Sequence, residues 1–406
     1  MNIVILTALF PYPLTSGGAQ AQYNMIDKLR YNHKITIIFP ERKANSLSAM
    51  KELQSKWPEV TFYPYKYWRQ LLDPCFFVSK IKRAFNLKFR ANDNRFKVER
   101  LLKPYGMPTD ARFKNFINNV ILKESADIVQ IEFFQLLHHV NMLPVNVKKI
   151  FIHHELRYMR NMRLLSGIDL QPNEFEMYNV VKQNEINDLN LYDKVVTLTS
   201  VDKDELIKSG VKVPIYVSPA AVNTPVLRYS GWNGNIIFLG GHGHIPNQEG
   251  LNWFFKFVVP QVDWNKYPNV RIGVVGKGWD ESRFHNLPNN VKVDFYGFVE
   301  DLSSVMSGAI MIVPILSGSG MRMKILEASA LGVPFVTTTV GVEGLDFVDK
   351  SSCLIADTSE SWAQALENLM SSDKLRSDLA ESALKVYNEK YSVEALSKVR
   401  ESVYYG

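Results

Sequence analysis

The chain has 406 residues, 46% of them hydrophobic and 22% charged, a balance that excludes a disordered or low-complexity protein and leaves room for two domains. Its two cysteines, Cys75 and Cys353, stand far apart; no disulfide framework and no structural zinc are expected from them. A net charge of +6 favours anionic partners: nucleoside diphosphates, phospholipid headgroups or nucleic acid.

The N-terminus, Met1-Asn2-Ile3-Val4-Ile5-Leu6, lacks the basic region of a signal peptide and reads as a buried strand. No apolar run approaches the ~18 residues needed to span a bilayer. A cytoplasmic protein is expected, soluble or peripheral at the inner membrane face. Apolar runs at Ile3–Leu9, Ile35–Phe39, Ile128–Glu132, Ile150–His153 and Val195–Leu198 alternate with amphipathic stretches, the pattern of parallel strands in βα units. The turn after the first run, Ser16-Gly17-Gly18-Ala19-Gln20, leaves Gly17 and Gly18 backbone approachable by a phosphate, or is a plain turn.

The stretch 73–105 interleaves nine lysines and arginines with five phenylalanines. It suits a helical hairpin with its aromatics in the core and its bases in water, ahead of an interfacial helix on an anionic membrane surface; nucleic acid fits less well. The third and fourth of these runs end in polar residues, Glu132 and His153-His154-Glu155. Asp202-Lys203-Asp204 spells D-x-D. It follows Thr199-Ser200, so it reads as the acidic first turn of a capped helix and not as a metal site.

Pro214, Pro219 and Pro225, followed by Gly231 and Gly234, form a linker. The alternation then restarts: Ile236–Leu239, Val270–Val275, Val291–Phe295, Ile310–Pro314 and Phe335–Thr338. The fold class is therefore α/β, two Rossmann-like doubly wound domains facing a cleft. Residues 1–222 form the first, 223–388 the second, and 389–406 a helix that can cross back to the first.

The most informative segment is 310–338, IMIVPILSGSGMRMKILEASALGVPFVTT. A buried strand ends at Pro314. A loop of small residues follows, Ser317-Gly318-Ser319-Gly320, and a helix starts near Met321 and ends at Gly332. Backbone N–H groups and the helix dipole favour an anion at that start. Arg322 and Lys324 lie in the first turn, where positive charge is locally unfavourable, so a diphosphate accounts for them. Glu327, three residues on, can accept hydrogen bonds from ribose hydroxyls. The alternative is an ordinary surface helix with a Lys324–Glu327 pair.

This segment resembles the donor motif of retaining GT-B glycosyltransferases of the family-4 type (glycosyl transferases group 1). Gly318 to Glu327 matches their Gly-Ser-Gly-x-Arg-x-Lys-Ile-Leu-Glu variant, and Glu327-Ala328 leads to Gly332-Val333-Pro334-Phe335-Val336. The resemblance implies that Glu327 binds the nucleotide ribose and that Gly318, Ser319, Gly320 and Met321 line the donor. The first Glu of the family's Glu-x7-Glu motif would fall at Ser319 and is missing, which leaves the sugar unspecified. The Gly17-Gly18 loop would sit by the donor phosphates. His242, His244 and Asn247 would occupy the region where the family has an Arg and a Lys, leaving Arg322 and Lys324 to carry more of the phosphate charge, with the Gly241 N–H helping. Backbone near Val299 would face the base. His153, with His154 as second choice, would stand beside the reacting sugar, and Glu132 would touch the acceptor.

The expected activity is metal-independent transfer of a glycosyl group, with retention, from a nucleotide-sugar to a glycan or lipid-linked acceptor in envelope polysaccharide or glycoconjugate synthesis. No cofactor is expected. A nucleotide-sugar epimerase and a non-catalytic nucleotide-sugar-binding partner are the competing readings.

Overall fold

The structure, a computed structural model, describes residues 1–14, 16–41, 45–66, 93–103, 111–222, 224–284, 291–318 and 320–406. Of the stretch 73–105, therefore, only 93–103 is described, and Cys75 and Ser319 lie outside the described residues. The chain divides into two compact units. The first comprises Met1–Pro219 and Val399–Gly406, the second Ala220–Lys398.

The first unit is built on seven parallel strands: β1 (Asn2–Thr7), β2 (Lys34–Pro40), β3 (Thr61–Tyr65), β4 (Ile128–Glu132), β5 (Lys148–His153), β6 (Lys194–Thr197) and β7 (Ile215–Val217), in the order β3-β2-β1-β4-β5-β6-β7. The central strands are buried along nearly their whole length. A parallel sheet covered on both faces needs such continuous apolar runs. β1 stops at Thr7, two residues before its apolar run ends, because the Thr7 hydroxyl bonds the Leu9 backbone at both N–H and C=O and starts a turn.

The second unit repeats the plan with β8 (Asn235–Leu239), β9 (Arg271–Val275), β10 (Lys292–Gly297), β11 (Ile310–Val313), β12 (Phe335–Thr337) and β13 (Leu354–Ile355), all parallel, in the order β10-β9-β8-β11-β12-β13. Period-2 alternation splits its core. Ile236, Phe238, Ile272, Val274 and Ile312 pack with Trp362 and Leu366 on one face. Ile237, Val275, Met311, Val313 and Phe335 pack with Leu326 and Tyr387 on the other.

Two glycines set the spacing around β11. Helix Met323–Ala330 closes in a Schellman arrangement: Val333 N–H reaches Ala328 C=O at 2.9 Å, and Gly332 takes a φ of +63. That left-handed conformation suits glycine. Helix Ile245–Trp253 lies against the end of β11 at Gly250, where an added Cβ would stand 1.9 Å from Pro314 O. Gly250→Ala must push the helix off this backbone. We expect it to cost ~2–3 kcal/mol, read as a lowered Tm, with a weakened response to any ligand held by the loop after Pro314.

Helix Val393–Tyr405 begins among residues of the second unit and ends among those of the first. Its last turns are tied to the first sheet: Lys194 Nζ donates to Val403 O at 2.6 Å, and Tyr404 Oη to Gln130 Oε1 at 2.6 Å.

Candidate functional site

In an open doubly wound sheet, ligands bind beyond the carboxyl ends of the strands where the strand order reverses. That point lies between β1 and β4 in the first unit and between β8 and β11 in the second. All the sequence-selected residues that the structure describes, Val299 apart, follow or end these strands or their neighbour β5.

In the second unit, β8 runs into Gly240-Gly241-His242 and then helix Ile245–Trp253, while β11 runs into Pro314–Gly320 and then helix Met323–Ala330. The two helix starts are joined. Lys324 Nζ donates to Asn247 Oδ1 at 2.8 Å, and Asn247 Nδ2 donates to Gly241 O at 2.9 Å. Lys324 also lies over the Phe238 ring, 4.7 Å from its centroid. Gly318 has a φ of +109, and a Cβ there would meet Pro246 Cγ at 3.1 Å, so this loop rests on the start of the other helix. The helix starts at Met323, two residues later than expected, because Arg322 is non-helical (φ −90, ψ 86) and its guanidinium turns back to Gly320 O.

The electrostatics of this corner are those of a cation held without enough counter-charge. Burial, then the neighbouring Arg322 charge, push the Lys324 amine down to about 7, although Glu327 acts to raise it. Burial and the charges of Lys324 and Arg322 likewise lower His244. Neither helix carries an acid in its first turn. Two helix N-termini and two bases converging here favour an anion.

The remaining selected residues of this unit lie around that corner or along the β9–β10 edge. Glu327 is 94% buried one turn into the helix. Met321 packs partly buried against the core. His242 packs edge-to-face on Trp279, centroids 4.9 Å apart, and Trp279 Nε1 donates to Gly240 O at 2.6 Å. His242 thus braces the glycine turn. Val299 packs partly buried just after β10, beside the exposed Phe298, over which Lys277 Nζ lies at 4.8 Å.

In the first unit, Ser16 caps helix Gly17–Leu29, accepting from Ala19 N. Gly18 lies close under Phe133: a Cβ there would come within 3.1 Å of the ring and would have to displace it slightly. That ring stacks on the His154 imidazole, centroids 4.1 Å apart and planes at 13°. Phe133 takes a φ of +71, a strained conformation for a bulky residue that costs on the order of 1–3 kcal/mol and is found where function demands it. Gly18, Phe133, His154 and Glu132 therefore form one cluster.

Here the structure separates the two histidines. His153, the first choice on sequence, is 1% exposed and its Nε2 lies 2.9 Å from Glu185 Oε1. Glu185 also accepts from the backbone N–H of Arg157 and Tyr158, so it caps helix Arg157–Leu164 from outside. His153 is a structural partner of that cap and presents no surface to a ligand. The His154 side chain is 11% exposed, and its Nε2 lies 2.7 Å from Glu132 Oε2. Glu132, expected to touch the acceptor, is 3% exposed, and both of its oxygens are engaged, Oε1 by Gln130 Nε2 at 2.6 Å. Burial alone would raise the Glu132 carboxyl, but the His154 hydrogen bond and charge, Arg400 and Gln130 together hold it below the usual carboxylate range. It stands behind His154. Gln130, Phe133 and Tyr404 were not selected from the sequence. Gln130 alone carries a signal there, a polar residue inside the buried run Val129–Ile131.

Asp202 of the D-x-D triplet accepts from Thr199 Oγ1 at 2.8 Å while Thr199 caps Asp202 N, as a helix cap does. Residues 94–101 form a helix capped by Asp93, with Val98 and Leu101 buried and Arg95 paired to Glu174. No helix among the described residues is long and apolar enough to cross a membrane.

Residues 233–372 match the family model described as Glycosyl transferases group 1. An uncharacterized glycosyltransferase of Haemophilus influenzae is 26% identical over 214 residues, covering 50% of this chain and 59% of that protein. An uncharacterized 44.6 kDa protein in the cps region of Klebsiella pneumoniae is 23% identical over 208 residues, covering 49% and 53%. The chain spans little more than half the length of these two curated relatives. Among solved structures, TarM aligns over 100% of this chain and 99% of its own with a TM-score of 0.69 and 12% identity. An S. aureus TarM variant in complex with fondaparinux, alpha-GlcNAc-glycerol and UDP aligns over 100% of both chains with a TM-score of 0.67 and 10% identity. At these identities the likeness shows the fold, the two parallel α/β sheets of GT-B glycosyltransferase structures.

Proposed function

We propose that this chain, whose residues 233–372 match a glycosyl transferases group 1 domain, is a glycosyltransferase that moves a sugar from a nucleoside diphosphate donor to an acceptor hydroxyl. The observation that carries the reading is the convergence at the second switch point of two helix N-termini with Arg322 and Lys324. Negative charge develops on the leaving diphosphate, and preorganised donors and cations stabilise it more in the transition state than in the ground state. Arg322, Lys324 and the backbone of Gly318, Gly320 and Gly241 are assigned to that charge. Glu327 is assigned to the ribose, and main chain near Val299 to the base. His154, braced by Glu132 and stacked on Phe133, is assigned to a hydroxyl of the reacting sugar, with the Gly17-Gly18 helix start beside it.

The finer statement is a family-4-like, retaining, metal-independent transfer. Retention is supported by the Gly318–Glu327 motif, with the departing phosphate receiving the acceptor proton. Metal independence is supported by two cations at the diphosphate position. The UDP bound by the TarM variant supports a nucleoside diphosphate, and the cps location of one relative supports a glycan or lipid-linked acceptor of an envelope polysaccharide. A peripheral position at an anionic membrane surface rests on the composition of 73–105 alone.

A thermal-shift panel of UDP-, GDP- and ADP-sugars in the presence of a chelator tests the donor assignment. A donor at one hundred times its Kd stabilises by ~2.7 kcal/mol, which reads as a clear rise in Tm. No shift with any member sinks the donor assignment. A shift that requires magnesium sinks metal independence.

A further inference from the structure

Buried polar side chains are costly unless each has a partner, so a continuous buried chain of them that ends at one partly exposed residue invites a functional explanation. Such a chain starts on the C-terminal helix. Tyr404 Oη lies 2.6 Å from Gln130 Oε1, Gln130 Nε2 lies 2.6 Å from Glu132 Oε1, and Glu132 Oε2 lies 2.7 Å from His154 Nε2. Tyr404, Gln130 and Glu132 are each 97% buried or more.

The direction of every link is determined. Burial pushes the Tyr404 phenol up to about 12, so it is neutral and donates. The amide of Gln130 accepts on oxygen and donates on nitrogen. Glu132 is held ionised and only accepts, so the His154 nitrogen facing it is the donor. We propose that Tyr404 and Gln130 are positioning residues for His154: the chain of donors running from the C-terminal helix fixes the imidazole with its Nε2–H on Glu132 and its Nδ1 turned away from that carboxylate. The Phe133 stack holds the ring plane, and the hydrogen-bond chain selects the tautomer. A hydrogen bond to one ring nitrogen commonly sets which nitrogen of a functional histidine carries the proton. The functional weight of this arrangement rests on the reading of His154 as the sugar-facing residue; the tautomer itself does not.

Without the Tyr404 hydroxyl the Gln130 amide can flip, its oxygen then faces the Glu132 carboxylate, and Glu132 loses a donor. The test is the ring-nitrogen spectrum of histidine-labelled protein at neutral pH, with the His154 signals assigned by His154→Gln. Wild type should show a single tautomer with a protonated Nε2 and an unprotonated Nδ1. Tyr404→Phe, and Gln130→Met one link nearer, should lose that pattern and give averaged nitrogens. Lys194→Met, which cuts a different tie of the same helix at Val403, should lower the Tm and leave the His154 pattern intact. Once a donor and acceptor pair is in hand, Tyr404→Phe should lower kcat ~10-fold with the KM for donor unchanged. A wild-type His154 pattern in both Tyr404→Phe and Gln130→Met, or its loss in Lys194→Met, overturns the inference. A His154→Ala chain that transfers sugar at the wild-type rate would overturn the functional reading instead and leave the tautomer result standing.

Discussion

Methionine in place of Lys324 is expected to remove donor-induced stabilisation and to lower kcat/KM by ~10²–10³-fold, while making the free protein more stable near neutral pH. Both effects have one cause. Burial and the Arg322 charge push the Lys324 amine down to about 7 from 10.5. Between those values the unfolded chain binds a proton that the folded chain does not, so stability rises with pH across that window. Below about 7 the penalty of the buried charge is fully present, and toward 10.5 it disappears. A methionine side chain carries no such penalty. After subtracting the lost bond to Asn247, the gain should be on the order of 1 kcal/mol below pH 7, fading as pH rises. A diphosphate reverses the balance by restoring the ammonium. Donor binding should therefore take up a proton above about pH 7, with affinity falling by up to tenfold per pH unit. Calorimetry in buffers of different ionisation heat reads that proton directly. A Lys324→Met chain that binds donor with wild-type affinity and the same pH slope would refute the placement of Lys324 at the diphosphate.

How much of this was legible beforehand depends on how completely each element is buried. Ten strands show as apolar runs; nine of them are central parallel strands with both faces covered, and the tenth, β10, keeps its run at a sheet edge. The three that do not, β3, β7 and β13, all lie at sheet edges, where one side of the ladder and part of a face are open. β3 reads Thr61-Phe62-Tyr63-Pro64-Tyr65 and buries only Tyr65 fully. Its partly covered aromatics and its proline obscure the strand pattern. The diphosphate corner was legible for a different reason. Glycines, bases and an acid follow one another within ten residues, so sequence order and spatial order coincide. The Asn247 link was not, because it joins residues 77 positions apart. The same limit applies in the first unit. Nothing local ties Tyr404 to Gln130, 274 positions away, and nothing in His153-His154 says which ring turns inward.

That last ambiguity has a measurable resolution, since the two histidines should fail in opposite ways when each is replaced by alanine. His153→Ala removes the partner of a wholly buried Glu185. The carboxylate keeps the backbone N–H groups of Arg157 and Tyr158 but loses its side-chain donor in a site closed to water. Leaving a buried charge short of a partner costs ~3 kcal/mol, so His153→Ala should melt earlier, and its folded fraction should keep the donor response and turnover. His154→Ala loses a partly exposed ring that bonds Glu132 and stacks on Phe133, and Glu132 retains Gln130. Its Tm should move less than that of His153→Ala. Its donor-induced shift should persist, because the diphosphate corner lies in the other unit. Its kcat should fall ~10²-fold or more if the imidazole bonds a hydroxyl of the reacting sugar only as the glycosidic bond breaks. Equal loss of kcat in the two variants, with equal Tm, would mean that neither ring has the role assigned to it.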